Sequence, residues 1–241
     1  MKKTIALLSA LILFIVPCFA QTDGYFLLHY ETIELYYPNN ENPTYTFICQ
    51  YPVIDKNSLV AEQMNEFFRL AVTEFRDVTI PMYANDKILG KQSGNIITQK
   101  YEVTVNTENY FGTLMYQEQT INGEKKESLI SQVFASTGPY AGETLTLRGA
   151  LGEIGESSEQ IAELILEDIF HRVKSNLSAE KTKGFEQFSL ETLSLDFFPE
   201  AQFFMNSDED VVFYFLPETP LGSLSETMFV YSSEKISELL Q

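Results

Sequence analysis

The stretch from Ile97 to Thr137, "ITQKYEVTVNTENYFGTLMYQEQTINGEKKESLISQVFAST", contains the pattern that decides the fold. It divides into three strand-like segments, "ITQKYEVTVNT", "YFGTLMYQEQTI" and "SLISQVFAST", which are rich in β-branched and aromatic residues. The connections between them are short, and "INGEKKE" (Ile121–Glu127) is the clearest of these. Because strands joined by short turns pair antiparallel, the sequence predicts a three-stranded meander here.

Two further strands are predicted upstream of this meander. The first is "GYFLLHYETIELYY" (Gly24–Tyr37), which ends in the turn-forming residues "PNNENP". The second is "TYTFICQYPVI" (Thr44–Ile54), in which aromatic residues and Cys49 alternate with Thr, Ile and Gln. This alternation predicts a half-buried strand on which Cys49 is a small core residue rather than a reactive thiol.

Two amphipathic helices are predicted from residues that recur with a period near 3.6. Asn57 or Ser58 can cap the first helix, whose apolar stripe comprises Val60, Met64, Phe67, Phe68, Ala71, Val72 and Phe75. Ser157 and Gln160 form the capping box of the second, whose stripe comprises Ile161, Leu164, Ile165, Ile169 and Val173. We expect this second helix to end near Asn176, with Arg172 and Lys174 favourably placed in its last turn.

The C-terminal third of the chain returns to strands. "EAQFFMN" and "VVFYFL" are predicted to form a hairpin around "SDED", "ETMFVY" a third strand, and "SSEKISELL" a closing helix capped by Ser232. The segment "GFEQFSLETLSLDFF" fits either a short helix or a strand. Mixed elements without a regular βαβ rhythm predict an α+β fold, with largely antiparallel sheet packed against two main helices and a short C-terminal helix.

The N-terminus has the features of a secretory signal peptide. Lys2 and Lys3 precede the apolar "TIALLSALILFIV", and small residues precede a cleavage point between Ala20 and Gln21. A lipid anchor at Cys18 is disfavoured because Pro17 stands directly before it. We expect a signal peptide at 1–20 and one exported domain at 21–241, with a division into subdomains 21–95 and 96–241 as the alternative. The exported chain would be periplasmic or secreted, without a transmembrane anchor.

The chain is strongly acidic. It has 34 Asp and Glu against 16 Lys and Arg, a net charge of −18, and loss of Lys2 and Lys3 on cleavage would leave 14 − 34 = −20. Such a charge repels nucleic acids and anionic lipids and accelerates encounters with basic proteins. Cleavage would also leave Cys49 as the only cysteine, which excludes an internal disulfide or a cysteine metal site in the exported domain.

No catalytic motif is convincing. The two histidines, His29 and His171, lie outside nucleophile motifs, and no zinc-ligand spacing is present. His171 is interpreted as a dipole partner at the end of the second helix. The cluster Asp208–Asp210 could bind calcium through its oxygens, but the hairpin turn is favoured because the segment runs directly into a strand. We therefore predict no catalytic residue, cofactor or metal, while an acid/base pair among the many carboxylates stays open.

Three stretches carry a resemblance to a known family: "YPVIDKNSLVAEQMNEFFRLAVTEF" with Asn65, "YEVTVNTENYFGTLMY", and "FFMNSDEDVVFYFLPETPLGSLSETMFVYSSEKISELL". From Tyr51 to Gln241 the chain resembles the bacterial extracellular domains of the RsiV and PdaC type. The resemblance implies an α+β extracytoplasmic module, which binds lysozyme in the RsiV-type anti-sigma factors. The family's Gly-Gly-Ala-His turn is replaced here by "INGEKKE". We expect neither the anti-sigma role nor the deacetylase activity to carry over to these residues.

Three functions follow as hypotheses. The first is a non-enzymatic exported binding module for a basic, lysozyme-like protein or a cell-wall glycan. The second is a structural envelope protein without a soluble ligand, and the third is a cell-wall hydrolase that uses two carboxylates. The residues that would contact a ligand are not distinguishable from core and turn residues in the sequence.

Overall fold

The computed structural model describes residues 24–55, 58–85, 93–152, 158–180 and 188–240, and it confirms the α+β prediction. One sheet has five strands in the order β1 to β5: β1 (Leu28–Tyr37), β2 (Tyr45–Ile54), β3 (Asn95–Asn106), β4 (Tyr110–Ile121) and β5 (Glu124–Ala135). The other has three strands: β6 (Phe203–Met205), β7 (Val211–Tyr214) and β8 (Met228–Tyr231). The helices are α1 (Leu59–Glu74), α2 (Ile80–Asn85), α3 (Leu147–Ala150), α4 (Ser158–Glu180), α5 (Leu190–Asp196) and α6 (Ser233–Leu239).

The predicted meander is confirmed, but the predicted connection "INGEKKE" is wrong. Only Asn122 and Gly123 form the turn, and both have positive φ, 53° and 83°. Left-handed backbone at both central residues is typical of a two-residue type I′ hairpin. The residues after Gly123 therefore belong to β5, where Lys125 Nζ lies 2.9 Å from Glu118 and 2.7 Å from Glu127.

One pair of strands in the five-stranded sheet is parallel. β2 runs beside β3 in the same direction, from Tyr45 opposite Asn95 to Gln50 opposite Lys100, whereas the other neighbours are antiparallel. The connection between β2 and β3 contains α1, a π-helical turn at Phe75–Thr79 and α2. A helical crossover of this kind is what parallel neighbours require. The alternative subdomain boundary, between residues 95 and 96, falls at the start of β3.

Helix α1 covers one face of the five-stranded sheet. Ser58 caps it by accepting a hydrogen bond from the Ala61 amide, as predicted, while the alternative cap Asn57 lies outside the described residues. The predicted stripe is confirmed, since Met64, Phe68 and Val72 are buried. The Phe68 ring meets the Tyr101 ring edge-on at 5.3 Å between centroids. Cys49 lies in the same core and is fully buried, as predicted.

Two asparagine side chains tie separate segments to this layer. Asn65 on α1 accepts from the Ile54 amide (2.8 Å) and donates to the Ile54 carbonyl (2.9 Å). Asn106 at the end of β3 does the same with the Phe26 amide and carbonyl, both at 2.9 Å. Each side-chain amide thus satisfies the N–H and the C=O of one residue, as the backbone of a neighbouring strand would.

The three-stranded sheet packs on the opposite face of β4 and β5. Leu114 of β4 shares a buried cluster with Phe204, Val212 and Tyr214. Ser131 of β5 donates from Oγ to the Phe203 carbonyl, and its hydroxyl lies 3.1 Å from the Tyr214 hydroxyl. The five-stranded sheet is therefore covered by α1 on one side and by the C-terminal hairpin on the other.

Helix α4 packs against the three-stranded sheet. Its buried stripe is Ile161, Ile165, Ile169 and Val173, as predicted, while Leu164 is half-buried. The predicted end at Asn176 is wrong, because α4 continues to Glu180 and places His171, Arg172 and Lys174 in mid-helix. Arg172 instead pairs with Glu226 at 2.7 Å and lies over the Phe229 ring. Ser157 of the predicted capping box lies outside the described residues.

The ambiguous segment before β6 contains a helix. Ser189 and Thr192 form a capping box at the start of α5, with the Thr192 amide donating to Ser189 Oγ and the Ser189 amide to Thr192 Oγ1. Leu193 and Phe197 anchor the helix in the core of the C-terminal layer. The closing helix α6 is capped by Ser232, as predicted.

Candidate functional site

A groove of about 610 Å³ lies between α4 and α5. Helix α4 contributes residues at spacings of three and four, which share one face of a helix. Helix α5 contributes residues from its first two turns. The lining residues are Glu163, Leu166 and Glu167 of α4 and Leu190, Glu191 and Ser194 of α5.

The floor of this groove is apolar. Leu166 and Leu190 are half-buried, and Leu166 packs against the core of the C-terminal layer. One turn further along α4, the Phe170 ring stacks on Phe188, with centroids 5.4 Å apart and ring planes at 27°. The capping box at Ser189 fixes the start of α5 directly after this aromatic pair, which positions Leu190 and Glu191 at the groove.

The rim of the groove is acidic. Glu163, Glu167 and Glu191 are exposed, and none of them forms an ion pair with a basic residue in the described part of the chain. Glu163 and Glu167 are also like charges one helical turn apart, a mildly unfavourable arrangement in an isolated helix. The groove therefore offers negative potential above an apolar surface, which suits a ligand with cationic and aliphatic parts.

The structure keeps the two histidines in separate layers. His29 on β1 has Nδ1 at 2.6 Å from Asp55 and Nε2 at 3.8 Å from Glu31. Glu31 also accepts a hydrogen bond from the Tyr51 hydroxyl at 2.7 Å, so these side chains link β1 to β2. His171 is exposed on α4, and its predicted role at a helix end is wrong.

The acidic stretch "SDED" forms the predicted hairpin turn between β6 and β7. Asn206 Oδ1 accepts from the amides of Asp208 (3.0 Å) and Asp210 (2.9 Å), which closes the turn. Glu209 has a φ of 62°, and both its carboxylate oxygens lie 3.2 Å from Asn109 Nδ2 in the β3–β4 turn. Among the residues that the structure describes, no group of three His, Cys, Asp or Glu is arranged to hold a metal ion.

Burial controls the reactivity of the side chains in the α1 layer. It raises the pKa of the Cys49 thiol to about 12, so the nucleophilic thiolate is rare at neutral pH. Burial first, and then the hydrogen bond to Glu31, raise the pKa of Tyr51. The buried polar residues in the described ranges are Asn95, Gln99, Thr113, Ser136 and Gln202, and none is a carboxylate.

The residues of the expected export signal, Cys18, Ala20 and Gln21, lie outside the described residues. Within the described part, no helix is both long and apolar enough to cross a membrane. The sequence did not reveal the groove. The spacing of Glu163 and Glu167 indicates an exposed helix face. The other side of the groove is formed by α5, whose segment fits either a helix or a strand by sequence alone.

Comparison with known proteins gave structural neighbours only. No family model matches the chain, and none of the curated proteins matches it. A DUF3298 family protein from Bacteroides fragilis superposes with a TM-score of 0.45 at 13% identity, covering 90% of this chain and 98% of its own. A second DUF3298 family protein, from Pseudomonas aeruginosa, gives a TM-score of 0.42 at 11% identity, covering 66% of this chain and 70% of its own. At these scores neither likeness assigns a family or a function.

Proposed function

We propose that this chain is an exported bacterial envelope protein that binds a basic partner protein, without enzymatic activity, through the groove between α4 and α5. The observation that carries the proposal is the set of three glutamates, Glu163, Glu167 and Glu191, above the half-buried Leu166 and Leu190. This combination matches lysine and arginine, which place an aliphatic stem on apolar surface and keep the charged group at its edge.

The charge of the whole chain supports the same partner class. A net charge of −18 creates a long-range field that speeds the approach of a basic protein, and the groove then offers a place for local contact. The resemblance to RsiV-type and PdaC-type extracellular domains makes lysozyme the first partner to test and cell-wall glycan the second. The signal-peptide pattern of residues 1–20 supports an encounter outside the cytoplasm.

The groove fits binding better than carboxylate catalysis. A glycosidase of that kind needs one carboxylic acid held protonated, commonly by apolar burial, opposite a second carboxylate. All three groove glutamates are exposed instead. They are suited to attract a cation.

Calorimetric titration with lysozyme at low and high salt tests the proposal. We expect saturable binding at low salt that weakens as salt screens the charges. The triple substitution E163Q/E167Q/E191Q should weaken binding about tenfold, from three partly screened contacts. The matched control E41Q/E62Q/E108Q changes net charge equally at exposed glutamates outside the groove and should weaken it less. Absence of binding at low salt would exclude lysozyme as the partner. An equal loss of affinity in the groove variant and in the control variant would exclude the groove as the contact surface.

A further inference from the structure

The outer strand β5 leaves part of its backbone unpaired. β5 pairs with β4 on one side only. On its outer side, the Ala135 amide donates to the Glu143 carbonyl (3.1 Å) and the Val133 carbonyl accepts from the Leu145 amide (2.7 Å). Outward-facing residues alternate along an edge strand, so the backbone groups of Leu129 and Ser131 point outward too. Within the described ranges, no backbone group pairs with those two residues.

Charge protects only one half of this edge. Exposed sheet edges invite pairing with other chains, and proteins commonly block them with charged side chains, lysine above all. The first half of β5 carries Lys125, Lys126 and Glu127, whereas the second half, "SLISQV" (Ser128–Val133), has no charge. The unpaired backbone groups of Leu129 and Ser131 therefore lie in the half of the edge that carries no charge.

A cleft of about 420 Å³ runs along the unprotected half. Ile130 and Gln132 line it from one face of β5, and Ser131 and Val133 from the other, so the cleft lies at the edge of the strand. The volume is within the roughly 300–1,000 Å³ that ligand sites span. The other wall is formed by residues 144–146 and by Glu200, Ala201 and Phe203.

The chain already adds a short extended segment to this edge. Thr144 forms an antiparallel bridge with Phe134, and Leu145 continues it as far as Val133. Thr146 then caps α3, and the chain turns away from β5. The pairing therefore ends at Val133, at one end of the cleft, although the outward backbone groups of Ser131 and Leu129 continue the edge beyond it.

We propose that an extended basic peptide segment binds in this cleft as an additional strand, antiparallel to β5, in the position that the chain leaves at Thr146. Residues opposite Ser131 and Leu129 would hydrogen-bond to them and point their side chains toward the exposed Glu200, which favours lysine or arginine. The alternate residues would face Ile130, whose side chain is 49% exposed, which favours a β-branched residue.

The probe that follows from this geometry is the acetylated, amidated hexapeptide Lys-Val-Lys-Val-Thr-Val. Its lysines would take the positions opposite β5 residues 131 and 129, so that the peptide begins beyond the segment already paired with Val133. We expect saturable binding that slows hydrogen exchange at the Leu129 and Ser131 amides, and at least about tenfold weaker binding when glutamate replaces both lysines. N-methylation of the two lysine amides should weaken binding about tenfold because it removes two hydrogen bonds to the edge. N-methylation of two valine amides, which face away from β5, should have little effect.

A pair of isoleucine substitutions tests the site on the protein. I130K adds a charge to the unprotected edge and should weaken probe binding about tenfold, in the way that lysines block other sheet edges. I96K places the same charge on β3 of the same sheet, at an isoleucine 44% exposed, and should leave binding unchanged. Thermal unfolding of both variants shows that the fold is retained.

Three outcomes would overturn the proposal. Lack of binding by the lysine probe is one, and protection confined to amides of α4 and α5 is another, since it would assign the peptide to the acidic groove instead. A dimer in sedimentation that I130K dissociates would show that a second copy of the chain occupies the edge. The proposal does not depend on lysozyme binding, because the cleft and the groove are formed by different residues.

Discussion

Removing the Asn65 amide should destabilise the protein by about 2 kcal/mol. Asn65 satisfies both the N–H and the C=O of Ile54, a residue that is 3% exposed. A buried backbone group left without a partner costs about 1–3 kcal/mol. Because these two hydrogen bonds are only partly buried, the loss of each should cost about 1 kcal/mol. N65A should therefore lower the unfolding free energy by about 2 kcal/mol, or the melting temperature by about 4–8 °C for a chain of this size.

Circular dichroism during thermal and urea unfolding measures this cost. The protein has no tryptophan, so helix ellipticity is the better probe. N106A removes the equivalent pair of bonds to Phe26 and should cost a similar amount. N42A changes an exposed asparagine and should stay within about 0.5 kcal/mol of the wild type. A cost below about 0.5 kcal/mol for N65A would show that water replaces the Asn65 amide at Ile54.

The substitution N65D tests the same two hydrogen bonds through the pH dependence of stability. The introduced carboxylate can accept from the Ile54 amide, but it cannot donate to the Ile54 carbonyl unless it is protonated. Folding should therefore raise the pKa of this carboxyl, and a raised pKa means stability that is present at low pH and lost as pH rises. The difference between N65D and wild type should shrink from pH 7 to pH 4, whereas that between N65A and wild type should stay constant. A constant N65D difference would refute the predicted donor role.

Three further predictions concern single side chains. Because burial raises the pKa of Cys49 to about 12, the thiolate is rare at pH 8, so thiol reagents should label Cys49 only after unfolding; rapid labelling of Cys49 in the native state would contradict the burial. G222A places a methyl group 2.5 Å from the Leu216 carbonyl oxygen and 2.6 Å from Pro217 Cα, and urea unfolding should show an unfolding free energy lower by about 1–3 kcal/mol. In the control G149A the nearest atom, 3.3 Å away, belongs to a flexible leucine side chain, so its unfolding free energy should be nearly unchanged. R172M removes a half-exposed ion pair with Glu226 and should cost about 1 kcal/mol at low salt and less at high salt; a salt-independent cost would assign the effect to packing on Phe229.

The sequence predicts those elements whose burial is local and periodic. The alternation in β2 and the seven-residue stripe of α1 each have one buried face, so the pattern of apolar residues reports the element directly. The polar residues of "EKKE" indicate a loop, although a strand at the edge of a sheet can carry charge. What placed these residues in β5 is the two-residue turn at Asn122 and Gly123, which fixes the register of the whole hairpin.

The wrong end predicted for α4 and the open assignment of the α5 segment both arise from contacts distant in sequence. Arg172 fits the last turn of a helix by local rules, but its partner is Glu226, 54 residues away. Leu177 packs against the core and continues the buried stripe beyond the predicted end. Helix α5 has only seven residues, too few to show a period, and its anchors Leu193 and Phe197 are buried by elements that come later in the chain.

The acidic groove depends on the second of these long-range features. Its α4 residues lie within the predicted helix, and it exists because α5 packs beside α4, which brings Glu191 to the side of Glu163 and Glu167. A charge of −18 spread over the surface would attract any cation, so it cannot by itself select a partner. In the function that we propose, selection would come from the apolar floor at Leu166 and Leu190, because contact with that floor is not screened by salt and requires a ligand whose charges stand beside aliphatic groups.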